Sequence, residues 1–416
     1  MIPFLVICVD TIHLVLETSL ITSIANANPF RSFWMAGYEC SDKLNKHKQR
    51  VDLLQATGHL QLIEQDYQSL STYDIKTVRE GIRWSFVEKV PYEYDWSVVE
   101  FMIDSAIRHK VQQVWDICHF GFPDDLTPLS PDFSDRFSKL CEAFVTFYRS
   151  KDPDSVLIVT PINEVSYLAW LGGDDGNTVP YLTNRGKEVK YHLMQAYIKG
   201  VAAMRVVDPS IRILTTEPIV NMVPPLDANL AELELAFAEN ELQFNSLDML
   251  SGKLHPELGG KPEYLDILGF NFYYNNQWIV GQEEFLPWAN LVPDQRWLPL
   301  SDLLRNAYKR YQKPFVITET SHSGNDRPQW INYITEQCEI ILRDQLPLLG
   351  VCLYPIIDRP DWDDLTQWHQ SGLWDNPDAG PESLPKRILY KPYSDALIKA
   401  MAKISAVTIP TEWITK

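Results

Sequence analysis

The sequence predicts an α/β fold, a (β/α)8 barrel built as a single domain. Short β-rich apolar runs alternate with longer amphipathic segments throughout the chain, and the runs number eight. Polar residues capable of chemistry also follow these runs one after another, as they do where the carboxyl ends of barrel strands converge. A chain of 416 residues could hold two average domains, but a barrel with elaborated loops reaches that size as one unit, and no linker-like stretch divides it. With 45% hydrophobic and 22% charged residues, the composition suits a large buried core rather than a disordered chain.

In chain order, the expected strands are Phe33–Tyr38, Thr77–Ile82, Gln113–Cys118, Val156–Pro161, Ile211–Thr216, Leu265–Phe270, Pro314–Thr318 and Gly350–Leu353. Apolar residues recurring at three and four predict helices over Val98–His109, Phe133–Tyr148, Lys187–Val207, Ala228–Gln243 and Trp330–Leu342. The stretch Asn276–Leu298, rich in Trp, Pro and Gln, has no clear period and reads as a long loop over the barrel mouth, where Trp278, Trp288 and Trp297 either shape the site or seal the rim. Residues 1–28 read as a poorly ordered apolar leader ahead of a barrel over 29–416. Ala25-Asn26-Ala27 has the look of a signal-peptide end, yet the run lacks a basic start and is interrupted by Asp10 and Glu17. Both export and membrane spanning are therefore disfavoured, and a cytoplasmic location is expected.

A formal charge of −18 repels phosphate backbones, which argues against nucleic acid as a partner. Aromatic residues make up 12% of the chain, including 13 Trp; most belong in the core, but flat amphipathic rings also stack on sugar faces. Six cysteines are scattered without C-x-x-C spacing or a paired framework, which argues against a zinc site or a disulfide scaffold and fits a reducing compartment.

Glu164 closes the fourth run, Val-Leu-Ile-Val-Thr-Pro-Ile-Asn-Glu, and Glu319 closes the seventh, Pro-Phe-Val-Ile-Thr-Glu. A lone Glu at a strand end is as readily a solvated or salt-bridged side chain. Two of them facing one another across a barrel mouth are what glycosidic bond cleavage requires: one donates a proton to the leaving oxygen and the other attacks the anomeric carbon or activates water. Their separation decides between retention and inversion, and sequence does not measure it.

The ordered motifs around these glutamates are Arg79-Glu80-Gly81-Ile82-Arg83-Trp84-Ser85, His119-Phe120-Gly121-Phe122-Pro123, Asn163-Glu164, Asp266-x-x-Gly269-x-Asn271-x-Tyr273, Thr318-Glu319 and Tyr354-Pro355-Ile356-Ile357-Asp358-Arg359-Pro360-Asp361-Trp362. In this order they resemble the family 1 glycoside hydrolases, the β-glucosidase, β-galactosidase and 6-phospho-β-glycosidase group, from the second strand to the eighth. The resemblance implies a retaining β-glycosidase acting on a carbohydrate without metal or cofactor, with Glu319 as nucleophile and Glu164 as acid/base. It implies Arg79 and Tyr273 beside the nucleophile, and Asn163, His119, Asn271 and Trp362 around the sugar. Tyr354 stands where the family has the Trp that floors the sugar site, and Asp361 where it has a Glu that grips distal hydroxyls. Glu39, after Phe33-Trp34-Met35-Ala36-Gly37-Tyr38, is a substitute for a sugar-binding Gln. Gly81, Pro161, Val165, Thr320 and Ser321 depart from the family pattern. A transglycosylase on the same site and a noncatalytic carbohydrate-binding barrel remain the alternatives. The sugar, its aglycone and the oligomeric state are not legible.

Overall fold

The computed structural model describes residues 28–282, 284–289, 294–376 and 385–407. The expected leader therefore lies outside the described residues, save Asn28, whose Nδ2 donates to the Leu349 carbonyl at 2.9 Å. The barrel strands are β1 (Trp34–Gly37), β2 (Thr77–Gly81), β3 (Gln112–Cys118), β4 (Ile158–Ile162), β5 in two pieces (Arg212–Ile213 and Glu217–Pro218), β6 (Leu268–Asn271), β7 (Phe315–Thr320) and β8 (Leu348–Leu353). Neighbours pair in parallel in the order β5-β4-β3-β2-β1-β8-β7-β6. The second piece of β5 then pairs with β6, and the Leu214–Ile267 bridge completes the ring.

All eight expected strands are present, with ends displaced by one to a few residues. The main correction is β5, predicted as continuous over Ile211–Thr216. Its ladder runs with β4 at Ile158–Arg212 and with β6 from Leu214 onward, so the backbone changes partner midway and the strand divides. Gly269 permits the approach on the β6 side, since a Cβ there would lie 2.0 Å from the Thr215 carbonyl oxygen.

The helices that follow the strands are α1 (His59–Leu70), α2 (Ser97–His109), α3 (Phe133–Lys151), α4 (Gly186–Val207), α5 (Leu230–Leu242), α6 (Leu300–Tyr311), α7 (Arg327–Arg343) and α8 (Lys391–Ser405). The five predicted helices correspond to α2, α3, α4, α5 and α7. Helix α1 is an addition whose apolar period is broken by buried polar residues: His59 Nε2 lies 3.0 Å from Glu80 Oε1, and the Tyr67 hydroxyl donates to the same oxygen at 2.7 Å. Although burial works against the charge, Glu80 and Asp66 push His59 up to about 9, so an imidazolium clamps α1 to β2. Helices α6 and α8 are further additions; their buried faces (Leu300, Leu303, Leu304, Ala307, Tyr311 and Tyr393, Ala396, Leu397, Ala400, Ile404) do carry the helical period.

Alternation along the strands sorts side chains into two cores. Met35, Val114, Ile158, Leu214, Ile267, Val316, Leu349 and Cys352 fill the barrel interior, with Tyr354 joining them, while Trp34, Ala36, Val78, Trp115, Ile117, Phe315 and Ile317 face the helices. The interior is thus plugged by packed side chains, a packed core rather than a channel, with the polar strand-end residues above it. The long segment after β6 is less irregular than expected: Gln277–Ile279 pairs in parallel with Asn221–Val223. Its residues 283 and 290–293 lie outside the described ones. Among the described residues, no helix is long and apolar enough to cross a membrane, and the five described cysteines are free.

Candidate active site

The strand ends bring together residues spread over the whole chain. Glu164 and Glu319 are 9% and 4% exposed. Glu164 directly follows β4 in a left-handed backbone conformation, φ 44° and ψ 58°, as the N-cap of the short helix Val165–Gly173. A non-glycine residue held there carries strain of order 1–3 kcal/mol, sustained only by its surroundings. The Glu164 amide donates to the Thr216 carbonyl at 2.8 Å, and Asn271 Nδ2 donates to its Oε1 at 2.9 Å. Asn271 Oδ1 in turn accepts from the Thr318 hydroxyl at 2.6 Å, and Asn271 sits opposite Glu319 in the β6–β7 ladder. One asparagine therefore ties the two glutamates into a single arrangement.

The two carboxyl groups stand in opposite settings. Arg79 Nη1 donates to Glu319 Oε1 at 2.7 Å and the Tyr273 hydroxyl donates to Oε2 at 2.8 Å, so both oxygens are oriented. Burial, followed by the Glu319 charge, pushes Glu164 well above the ordinary carboxylate range; Glu217 adds to this, while Asn271 and Arg79 oppose it. The protonated form of Glu164 is thus favoured by burial beside ion-paired Glu319.

Arg79 is the hub. Its Nε and Nη2 reach the two oxygens of Asp116 at 3.0 and 2.7 Å, and Nη2 also donates to Asn163 Oδ1 at 2.7 Å. Asp116 accepts from or pairs with His119 Nδ1 at 2.7 Å, leaving His119 Nε2 directed at Asn163 (3.3 Å), the Tyr354 hydroxyl (3.4 Å) and Glu39 (3.6 Å). Tyr354 lies parallel to His119, 10° between planes and 5.7 Å between centroids. Gly37 makes room for it, because a Cβ there would fall 2.0 Å from the tyrosine ring.

No family model matches the chain, and no curated protein does. Solved structures do. A β-glucosidase from Exiguobacterium marinum superposes with a TM-score of 0.68 at 16% identity, covering 90% of this chain and 99% of that one. The family 1 β-glucosidase of Thermotoga maritima gives 0.67 at 14% identity over 90% and 99%. The virulence factor SghA of Agrobacterium tumefaciens gives 0.66 at 16% identity over 92% and 99%. The chain shares the (β/α)8 fold of family 1 β-glucosidases. On that fold, the departures from the family motifs acquire physical reasons. Gly81 accommodates Cys40, whose Sγ would be 2.5 Å from an added Cβ, and Thr320 accepts from Trp330 Nε1 at 2.8 Å.

The remaining predicted residues divide. Glu39 joins the cluster: Ser41 donates to Oε1 through both its amide and its hydroxyl, and Oε2 pairs with Arg359 Nε at 3.3 Å. Trp362 also joins, its ring edge-on to Phe120 at 5.5 Å and near Tyr167 at 6.3 Å. Asp361 stands apart, 39% exposed, with Oδ1 accepting the Asp363 and Asp364 amides of its own turn and Oδ2 3.4 Å from His369. Trp288 and Trp297 seal the rim: Trp288 donates to His322 Nε2 at 3.1 Å and packs edge-on against Trp330, and Trp297 meets Tyr333. A groove on the outer surface lined by Tyr92, Tyr94, Trp96, Lys139 and Phe147 lies away from all of these groups.

Three residues of this cluster lie outside the quoted motifs, Asp116, Glu217 and Lys43, and a fourth, Arg359, lies inside one without having been singled out. Asp116 carried a signal, a carboxylate on the inward face of β3 three residues before His119. Glu217 lies past the break in β5 and accepts the Ser166 amide at 3.2 Å, in the first turn of the helix that Glu164 caps. Cys40, Asp116 and His119 place possible metal-ligand atoms within 4.8 Å of one another, but both Asp116 oxygens already face the Arg79 guanidinium and burial pushes the Cys40 thiol far up, so the donor set does not suit a cation.

Arg79→Met is expected to destabilise the protein by about 3–5 kcal/mol at neutral pH, because it leaves Asp116 and Glu319 buried without their cation. In the native protein burial raises Asp116, but Arg79 and His119 outweigh it and hold it below its ordinary value. That contribution is present above the unfolded carboxylate pKa and is lost as pH falls through the folded one. The gap between native and variant proteins in urea unfolding should therefore shrink as pH is lowered from about 5 towards about 2; a constant gap over that range would contradict the role given to Arg79.

Proposed function

We propose that the chain is a retaining β-glycoside hydrolase that works by double displacement, with residues 29–416 as its catalytic barrel. The observation that carries this reading is the pairing of buried Glu164 with Glu319, held by Arg79 and Tyr273, around the single side chain of Asn271, with burial and the Glu319 charge pushing Glu164 up. Proteins of the same fold include β-glucosidases and SghA, which has been solved with its substrate analog salicin.

In the first step Glu319 attacks the anomeric carbon while the Glu164 proton passes to the departing glycosidic oxygen. Tyr273 and Arg79 leave the carboxylate a single orientation and need no reorganisation during attack. Esterification removes the Glu319 charge, which together with burial raises the Glu164 pKa. Glu164, now more acidic and deprotonated, accepts a proton from water as the water attacks the glycosyl ester, and Glu319 leaves as carboxylate. Asn163, His119 and Glu39 line the sugar side with donors and acceptors, and Tyr354 and Trp362 supply apolar faces.

The test is the configuration of the sugar first released from aryl β-glycosides, followed by proton NMR before mutarotation. The β-anomer is the expected product. An α-anomer would replace double displacement by inversion, and no turnover across a broad panel would favour the noncatalytic alternative.

A further inference from the structure

Lys43 is 2% exposed, yet its ammonium makes no hydrogen bond and no ion pair with any described residue. It lies 4.4 Å from the centroid of the Trp362 ring, and the guanidinium of Arg359 lies 5.1 Å from the same ring. Two cations thus crowd one indole. The surrounding carboxylates are already committed: Glu39 to Arg359, Ser41 and His119, Asp361 to the amides of its own turn, and Asp363 to Lys46 at 3.3 Å. Arg359 spends one N–H on the Pro360 carbonyl and pairs with Glu39, leaving donors of its five unspent. Burial pushes Lys43 down to about 8; Asp363, Glu39 and Asp361 work against that shift and Arg359 with it. The ammonium nitrogen itself keeps some contact with solvent, so it is both poorly compensated by its neighbours and open to an incoming anion.

The position matters as much as the charge. Contacts run from Glu319 through Arg79, Asp116 and His119 to Glu39 and then Arg359, so the cation pair is joined to the nucleophile's network at the end opposite Glu319. Trp362, with Phe120 and Tyr167 beside it, forms an apolar wall there.

We propose that Lys43 and Arg359 together recognise a carboxylate on the sugar, at the end away from its anomeric carbon, which makes a β-hexuronoside the preferred substrate. This rests on the hydrolase reading above. A carboxylate brings one negative charge and two coplanar oxygens, one for the ammonium and one for the guanidinium. A phosphate would bring nearly two charges past Glu39, Asp361 and Asp363.

The experiment compares kcat/KM for the 4-nitrophenyl β-D-glucuronide, β-D-glucoside and β-D-glucoside 6-phosphate with native protein and with Lys43→Met, which keeps the side chain's packing on Trp362. The native protein should prefer the glucuronide to the glucoside by about tenfold or more, and Lys43→Met should lower that ratio by about tenfold or more. Preference for the glucoside, preference for the phosphorylated sugar, or an unaltered ratio in the variant would each overturn the assignment. Calorimetric binding of phenyl 1-thio-β-D-glucuronide and its glucoside counterpart separates the two readings. Selective binding of the glucuronide that Lys43→Met abolishes, without turnover of any glycoside, would defeat the hydrolase and keep the anion site. Equal binding of both would defeat the anion site whatever the turnover.

Discussion

Replacing Glu319 by glycine is expected to lower turnover of activated aryl β-glycosides by about ten-thousand-fold or more, since the substitution removes the atom that forms the covalent bond. The remaining architecture should survive. Arg79 loses one anionic partner but keeps Asp116 and Asn163, and Tyr273 loses only its acceptor. The variant therefore contains a small vacated space beside a guanidinium that has lost one of its two carboxylate partners, which is a site for a small anion. Added azide should occupy it and attack the anomeric carbon from the face the carboxylate used, restoring part of the activity. The product should be the α-glycosyl azide, because one displacement inverts what two displacements retain. Turnover close to native in Glu319→Gly, or a β-azide as the rescued product, would remove Glu319 from the role of nucleophile.

What the sequence revealed follows the physics of each element. Strands buried on both faces stand out as short apolar runs bounded by turn residues, so all eight were legible, and with them the strand-end positions of Glu164 and Glu319. The split in β5 was not, because nothing local marks where a strand exchanges one neighbour for another. Helix α1 was hidden by His59, Asp66 and Tyr67, buried polar residues whose partners lie on β2 and in the C-terminal segment: Arg387 pairs with Asp66 at 2.8 Å. The same limit applies within the site. Arg79, His119, Asn163, Asn271 and Tyr273 were found through spaced motifs. Asp116 and Lys43 sit outside any quoted motif, and apart from the nearby His119 the partners that matter, Arg79 for Asp116 and Trp362 for Lys43, are distant in sequence. Asp361 had a clear motif position, and in the structure one of its oxygens accepts two amides of its own turn.

Glu164→Gln separates proton transfer from everything else at the site. The amide is nearly isosteric with the carboxyl, and its oxygen can still accept from Asn271, so the geometry seen at 2.9 Å is retained. Turnover should fall by about a hundredfold to ten-thousandfold for glycosides with poor leaving groups, which need protonation, and much less in the first step for dinitrophenyl glycosides, which do not. With the latter the second step lacks its base, and the glycosyl ester on Glu319 should accumulate to a level visible in the mass of the intact protein. The pH dependence carries an independent sign. Native activity should decline as pH rises through the raised pKa of Glu164, and that limb should vanish in the variant. Stability should move the same way. A carboxyl whose folded pKa is raised stabilises the native state below its unfolded pKa, and this contribution is lost as pH climbs through the folded one. Glu164→Gln has no such loss, so its unfolding free energy should gain on the native protein across that window. An activity loss independent of the leaving group, together with a stability difference that does not change with pH, would show that Glu164 is neither the buried acid nor the base of this site.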